Sequence, residues 1–523
     1  MSHHRSHRRR RLTRLGASSL AERAGARCRI RALAGLLLVL ALITGTPALA
    51  APRADPFVSP LDPGMQINAL LPEFSADLDA AAQWNRYTVQ ARIDPEARTI
   101  AGDLRLEYTN RAASPLNQIY LYLFPNLPDF GGRLDINSAA VDGRPVRVRY
   151  EASRFLLRLD LLAPLSPGAG AVVVLNFAAR APLDASQRFY AAFNRERGVL
   201  ALASVLPMAA RWNGDAWDLA VPISRGDFVT SETALYDVTL TIPTAWTAVT
   251  TGVALESRRE SGMQTTRFVS GPQRDFTIVL TRFQSISTEV DGTRITSYYR
   301  PESAAGGRAV LDTAANALRA FNRRFGRYPL AELDIVQIDA RKFLGVEYPG
   351  LIMIDRRLYD GERAGLEIIV AHEVAHQWWY SLVGNDVQNE AWLDEGLASF
   401  SQVIYQEEVH GLAAATRELD GFRASYTRAR DAGRNAPLQR PVAAFRGNYT
   451  AIVYAKGALF FQALRERIGA SAFDRFLRDY YVAFRYRLAS SDDVLVTAEN
   501  ACNCELDDFY RDWVTTAAPV AIP

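Results

Sequence analysis

The reading of this chain turns on His372-Glu373-Val374-Ala375-His376 and on Trp392-Leu393-Asp394-Glu395-Gly396, with eighteen residues between His376 and Glu395. The flanks Leu366–Ala371 and Gln377–Tyr380 carry apolar residues at helical spacing and no Gly or Pro, so the first stretch reads as helix. On a helix, residues i and i+4 share a face with Cβ atoms about 5–6 Å apart. Two imidazoles so placed can hold one Zn²⁺ at about 2.0–2.1 Å. Glu373 sits beside the first histidine and can reach a water at the metal without ligating. Three of the six histidines stand within the first seven residues, and two of the other three fall in this pattern, leaving only His410 outside it.

A catalytic zinc takes three protein ligands and keeps one position for water. The alternative HExxH arrangement needs Gly at 379 and His at 382, where this chain has Trp379 and Leu382. Gly384-Asn385-Asp386 reads as a loop, and a second helix returning antiparallel would bring Glu395 to the first. His372, His376 and Glu395 are therefore the expected ligands of one Zn²⁺ per chain, with Glu373 as general base.

Upstream the periodicity changes. Tyr87, Val89, Ala91 and Ile93 alternate with polar residues, as do Leu104, Leu106 and Tyr108, and later Tyr236, Val238, Leu240 and Ile242. Turn signals such as Asp142-Gly143 and Asp291-Gly292 separate such runs. This predicts a largely antiparallel β domain over 64–285. From 286 the pattern becomes α+β: a helix through Val310, Ala314, Ala317 and Phe321 that stops before Gly326, strands at Leu333–Ile338 and Leu351–Ile354, then mostly helix to the end. The expected fold class is multidomain, β then α+β.

The first fifty residues carry ten Arg against one acidic residue, Glu22, then the apolar run Leu33–Ile43 and Ala48-Leu49-Ala50. Basic, apolar and A-x-A regions in that order read as a signal peptide over 1–50, followed by a proline-rich linker over 51–63. The expectation is an exported protein, periplasmic or extracellular, with no stable membrane span after cleavage; an uncleaved anchor is the alternative. The whole chain is +3, so removing a leader of +9 leaves −6, which is no footprint for nucleic acid. Cys502 and Cys504 could close a tight disulfide in an oxidising compartment, a structural role.

With these residues in view, the chain resembles the zinc aminopeptidases of the gluzincin clan, the family of alanyl and leucyl aminopeptidases and leukotriene hydrolase. Its signature is HExxH, eighteen residues, then Glu within W-L-N-E-G, and Asp394 stands here for the Asn. Gly345-Val346-Glu347-Tyr348 occupies the place of the family's G-x-M-E-N motif, and Tyr454-Ala455-Lys456-Gly457 that of its Y-x-K-G segment, with Tyr449 five residues earlier. Phe325–Pro329, Tyr120–Asn126 and Tyr236–Leu240 also look similar, so the likeness covers nearly all of 64–515. It implies a thermolysin-like catalytic domain over 286–523. It further implies Tyr454 as a catalytic oxyanion donor, and Glu347, Gly345 and Tyr449 as substrate-binding residues, Glu347 holding the α-ammonium. Family members usually continue into a helical domain that roofs the site, whereas this sequence ends at Pro523, which implies an open cleft.

The leading expectation is a zinc aminopeptidase acting on peptides. An endopeptidase or broad-specificity metallopeptidase is the alternative within enzymes, favoured by the altered motif at Val346 and Tyr348. A non-catalytic peptide-binding protein on the same fold is the alternative outside them, and the intact Glu373 argues against it.

Overall fold

Alternation becomes pleated sheet from Asn85 onward. In the strand Asn85–Asp94, Tyr87, Val89, Ala91 and Ile93 are buried while Gln90, Arg92 and Asp94 face water. Its antiparallel partner Thr99–Thr109 sets Leu106 opposite Tyr87 and Leu104 opposite Val89. These side chains share one core with Val173, Leu175 and Phe177. Each such burial contributes about 1.5–3 kcal/mol, which fixes the register because a one-residue slip would expose the whole set.

The computed structural model describes residues 63–523 except 184–187, 362 and 519; the expected leader 1–50 and the linker as far as residue 62 lie outside the described residues. The first sheet has eight strands in the order 253–260, 263–269, 234–243, 85–94, 99–109, 170–180, 133–141 and 144–145. All its pairings are antiparallel except that of Asn85–Asp94 with Ala234–Pro243. Two four-stranded sheets complete this N-terminal β region.

A mixed five-stranded sheet follows, in the order 284–290, 293–299, 332–338, 351–355 and 345–348. Gly345–Tyr348 is its last strand, antiparallel to Leu351–Asp355. The helices Ala304–Arg324, Arg363–Ala375, Trp392–His410 and Gly457–Ile468 belong to the same half and share a second core around Trp378, Trp379, Trp392, Phe400 and Phe461. The architecture is thus antiparallel β followed by a largely helical α+β region. Cys502 and Cys504 are disulfide-bonded at the end of the helix Ser491–Cys502. Among the described residues no helix is long and apolar enough to cross a membrane.

A buried arginine joins the two regions. Arg274 donates from Nε to Tyr380 O at 2.9 Å, from Nη1 to Ser231 O at 2.9 Å, and from Nη2 to Leu382 O at 3.3 Å and to Arg487 O. Burial lowers its pKa to about 10. Its guanidinium also explains Gly384, where a Cβ would lie 2.3 Å from Arg274 Cζ.

Candidate active site

The helix Arg363–Ala375 ends sooner than its apolar flank suggests. His376 N still bonds His372 O at 3.2 Å, but the chain then turns, with Ser381 N on His376 O and Tyr380 at φ 136°. The turn has a reason in His376, whose Nδ1 lies 2.9 Å from Trp379 O. Nδ1–H donating to that carbonyl leaves Nε2 with its lone pair free. His372 Nδ1 meets the Gln402 amide at 2.8 Å. The atom placed there is Gln402 Nε2; only with the amide flipped, its oxygen accepting from Nδ1–H, would His372 take the tautomer of His376.

Glu395 lies in the first turn of Trp392–His410, where the helix dipole favours a carboxylate. Its Oε2 is 3.1 Å from His372 Nε2 and 3.4 Å from His376 Nε2, and the two imidazole nitrogens are 3.1 Å apart. A tetrahedral ion with bonds of 2.0–2.1 Å would have ligand-to-ligand edges of roughly 3.3–3.4 Å. The donor set and the hydrogen bond behind His376 therefore fit zinc. A second buried group that could hold an ion, Glu347, Glu373 and His376, shares one member with the first. It offers a single nitrogen donor, which suits zinc less well.

Tyr454 reaches this cluster through a backbone contact. Gly396 follows Glu395 and packs on Gly457, so closely that a Cβ at 457 would lie 2.8 Å from Gly396 Cα. The preceding π-helical turn, Ala451–Lys456, is thereby pressed against Glu395, and the Tyr454 hydroxyl donates to Glu395 Oε1. The Lys456 ammonium, buried, donates to Ala436 O at 2.9 Å and ties the turn to the preceding loop. Tyr449 stands with its ring centroid 6.0 Å from that of Tyr454, and its hydroxyl is buried without a partner among the described residues.

Glu373 is buried, and among the described residues no donor binds its Oε2. Its Oε1 lies where a Cβ at Gly345 would come within 2.3 Å, so the strand approaches the carboxylate closely only because residue 345 has no side chain. Burial, then the charge of Glu347, hold Glu373 well above the ordinary carboxylate range. Burial opposes charge on Glu395 as well, but hydrogen bonds from both histidines hold it down to about 2. Asp394 is pushed up to about 8 by burial and by Glu395, and its Oδ1 accepts from Asn385 at 2.9 Å.

One carboxylate here escaped sequence reasoning. Asp227 is half-buried and lines one small space with Glu347, whose carboxylate lies within 4.8 Å of that of Glu373 and of the His376 ring. Burial and then the Glu347 charge raise Asp227 well above its usual range. Its segment is pinned to the helical half by Gln388, which donates to Asp227 O at 2.6 Å and accepts from Ile223 N at 3.0 Å, and by Arg225 Nη1 on Val442 O at 3.1 Å and on Phe445 O. Behind the two carboxylates Tyr190, Phe228, Tyr348 and Tyr380 leave a space of about 10 Å³, room for one water at most.

Residues 309–513 match the model of the peptidase family M1 domain. Endoplasmic reticulum aminopeptidase 1 of Mus musculus is 26% identical over 244 residues, covering 43% of this chain and 26% of its own. Aminopeptidase M1-A of Oryza sativa subsp. japonica is 22% identical over 406 residues, covering 73% and 44%. The chain thus spans less than half the length of either relative. Among solved structures, an M1 zinc metallopeptidase from Deinococcus radiodurans superposes with a TM-score of 0.65 at 22% identity, over 84% of this chain and 95% of that one. A mutant form of that protein is described as bound to a Tyr-Ser-Ala substrate.

Proposed function

Because this chain carries a peptidase family M1 domain, the domain of a group of zinc-dependent hydrolases, we propose that it is an aminopeptidase removing the first residue of peptides. The observation that carries this reading is the Glu347–Asp227 pair: two adjoining carboxylates beside Glu373, with no ion pair to either among the described residues. An ammonium group supplies the charge that such a pair lacks. The space that Glu347 and Asp227 line holds no more than one water, which favours an exopeptidase over an endopeptidase. The working division is a β domain over 64–285 and a peptidase domain over 286–523.

His372, His376 and Glu395 would hold zinc, which supplies Lewis acidity toward water and toward a carbonyl oxygen. Glu373 takes the proton of the attacking water on Oε2 and returns it to the leaving amine. Tyr454, oriented by Glu395, donates to the oxygen that gains charge as the carbonyl carbon becomes tetrahedral. Glu347 and Asp227 hold the α-ammonium and so set the scissile bond one residue from the chain end.

Glu347→Ala is expected to lower kcat/KM on free-amine peptides by roughly 10–150-fold, the value of a buried charged hydrogen bond. N-acetylated peptides lack the ammonium, so their slower hydrolysis should not worsen. Equal wild-type rates on free and acetylated peptides would replace the exopeptidase reading with an endopeptidase.

Export belongs to the same proposal, resting on the arginine-rich, apolar and A-x-A order of residues 1–50. Mass spectrometry of protein from the native host is expected to find Ala51 at the N-terminus. An intact leader in a cytoplasmic fraction would refute cleavage.

A further inference from the structure

Beside Tyr449 opens a cavity of about 420 Å³, lined by Arg225, Arg428, Arg434, Asn448 and Tyr449 among others, with no carboxylate in its wall among the described residues. The three arginines come from separate segments: the loop that carries Asp227, the helix Leu412–Asp431 and the turn that follows it. Arginines on an exposed face are usually solvated or paired with acids along their own helix, as Arg430 is with Asp431. These three form no ion pair among the described residues and converge on one space. Arg225 is fixed by its bonds to Val442 O and Phe445 O, so part of the charge is positioned before any ligand arrives.

The cavity shares Tyr449 with the site, and its Arg225 stands two residues before Asp227. Gly226 lies between Arg225 and Asp227 at φ +64°, and a Cβ there would fall 2.3 Å from the Tyr449 hydroxyl. The loop therefore turns tightly on Tyr449, with a cationic residue before the turn and an anionic one after it. Two residues span at most about 7 Å, and an extended glutamate separates its amine from its side-chain carboxyl by roughly 5 Å. From these observations we infer that this arginine-lined cavity is a subsite for the anionic side chain of the substrate's first residue, aspartate or glutamate. The inference rests on the aminopeptidase reading and adds a substrate class to it.

The test compares Glu-, Gln- and Leu-aminomethylcoumarin, none of which has a C-terminal carboxylate, on the wild-type protein and on Arg428→Gln, Arg434→Gln and the double variant. Both substitutions are at exposed positions, and Arg225, which anchors the loop, is left in place. The ratio of kcat/KM for Glu to that for Gln is expected to fall about tenfold for each arginine removed. In the wild type the same ratio should fall between 50 and 500 mM salt, since exposed charges are screened over about 10 Å at 0.1 M. An unchanged ratio in the double variant, with Leu turnover retained, would overturn the subsite. A wild type that cleaves none of the three would instead sink the aminopeptidase reading itself.

Discussion

Glu373→Gln is expected to retain one zinc per chain and to lose activity by about 10²–10⁴-fold, the usual contribution of a general base. Gln has the same shape and fits the same gap against Gly345, so packing should not change. It cannot accept a proton, and Glu373 Oε2 is the buried oxygen on which no donor sits. Elemental analysis read beside kcat separates the two parts of this expectation. Activity within tenfold of wild type would mean that another group takes the proton. Loss of zinc would favour the alternative donor group of Glu347, Glu373 and His376.

His376→Ala should be more severe, removing zinc and bringing turnover below about a thousandth of wild type, because the ion supplies several kcal/mol of charge stabilisation and each 1.36 kcal/mol is tenfold. His376 is the better buried of the two histidines, and its ring is held by Trp379 O. Burial works against charge on His376, yet Glu347 and then Glu395 keep its pKa well above the ordinary value in the metal-free site. Zinc must compete with that proton, so wild-type affinity should rise with pH. Chelator should lower the melting temperature of the wild type and leave that of His376→Ala unmoved. A variant with stoichiometric zinc and full turnover would sink the ligand assignment.

What sequence could disclose here follows from how far each signal reaches. Tyr87, Val89, Ala91 and Ile93 disclose a strand because period two is local, and His372 and His376 disclose a shared face because i+4 is local. Glu395 needed only one intervening loop. Tyr454 and Glu347 were legible through family resemblance, since no periodicity links position 347 to 373 or 454 to 395. Asp227 was not legible: it stands in an aperiodic stretch, and its meaning comes from residue 347, across the two halves of the chain. Gln402 could have been found, for it lies seven residues after Glu395 on the same helix and hence on the same face. The early end of the helix Arg363–Ala375 was hidden because the His376–Trp379 bond outweighs the helical preference of its flank.

Arg274 bears on how such a site could admit and release its ligands. Its guanidinium binds carbonyls of Ser231 on one side and of Tyr380, Leu382 and Arg487 on the other. Swinging the β region away from the helical region would strip a buried cation of its acceptors, at about 1.5–3 kcal/mol for each hydrogen bond. Such a seam behaves as a weld rather than a hinge. Discrimination among ligands is then left to fixed walls and to rotations of individual side chains.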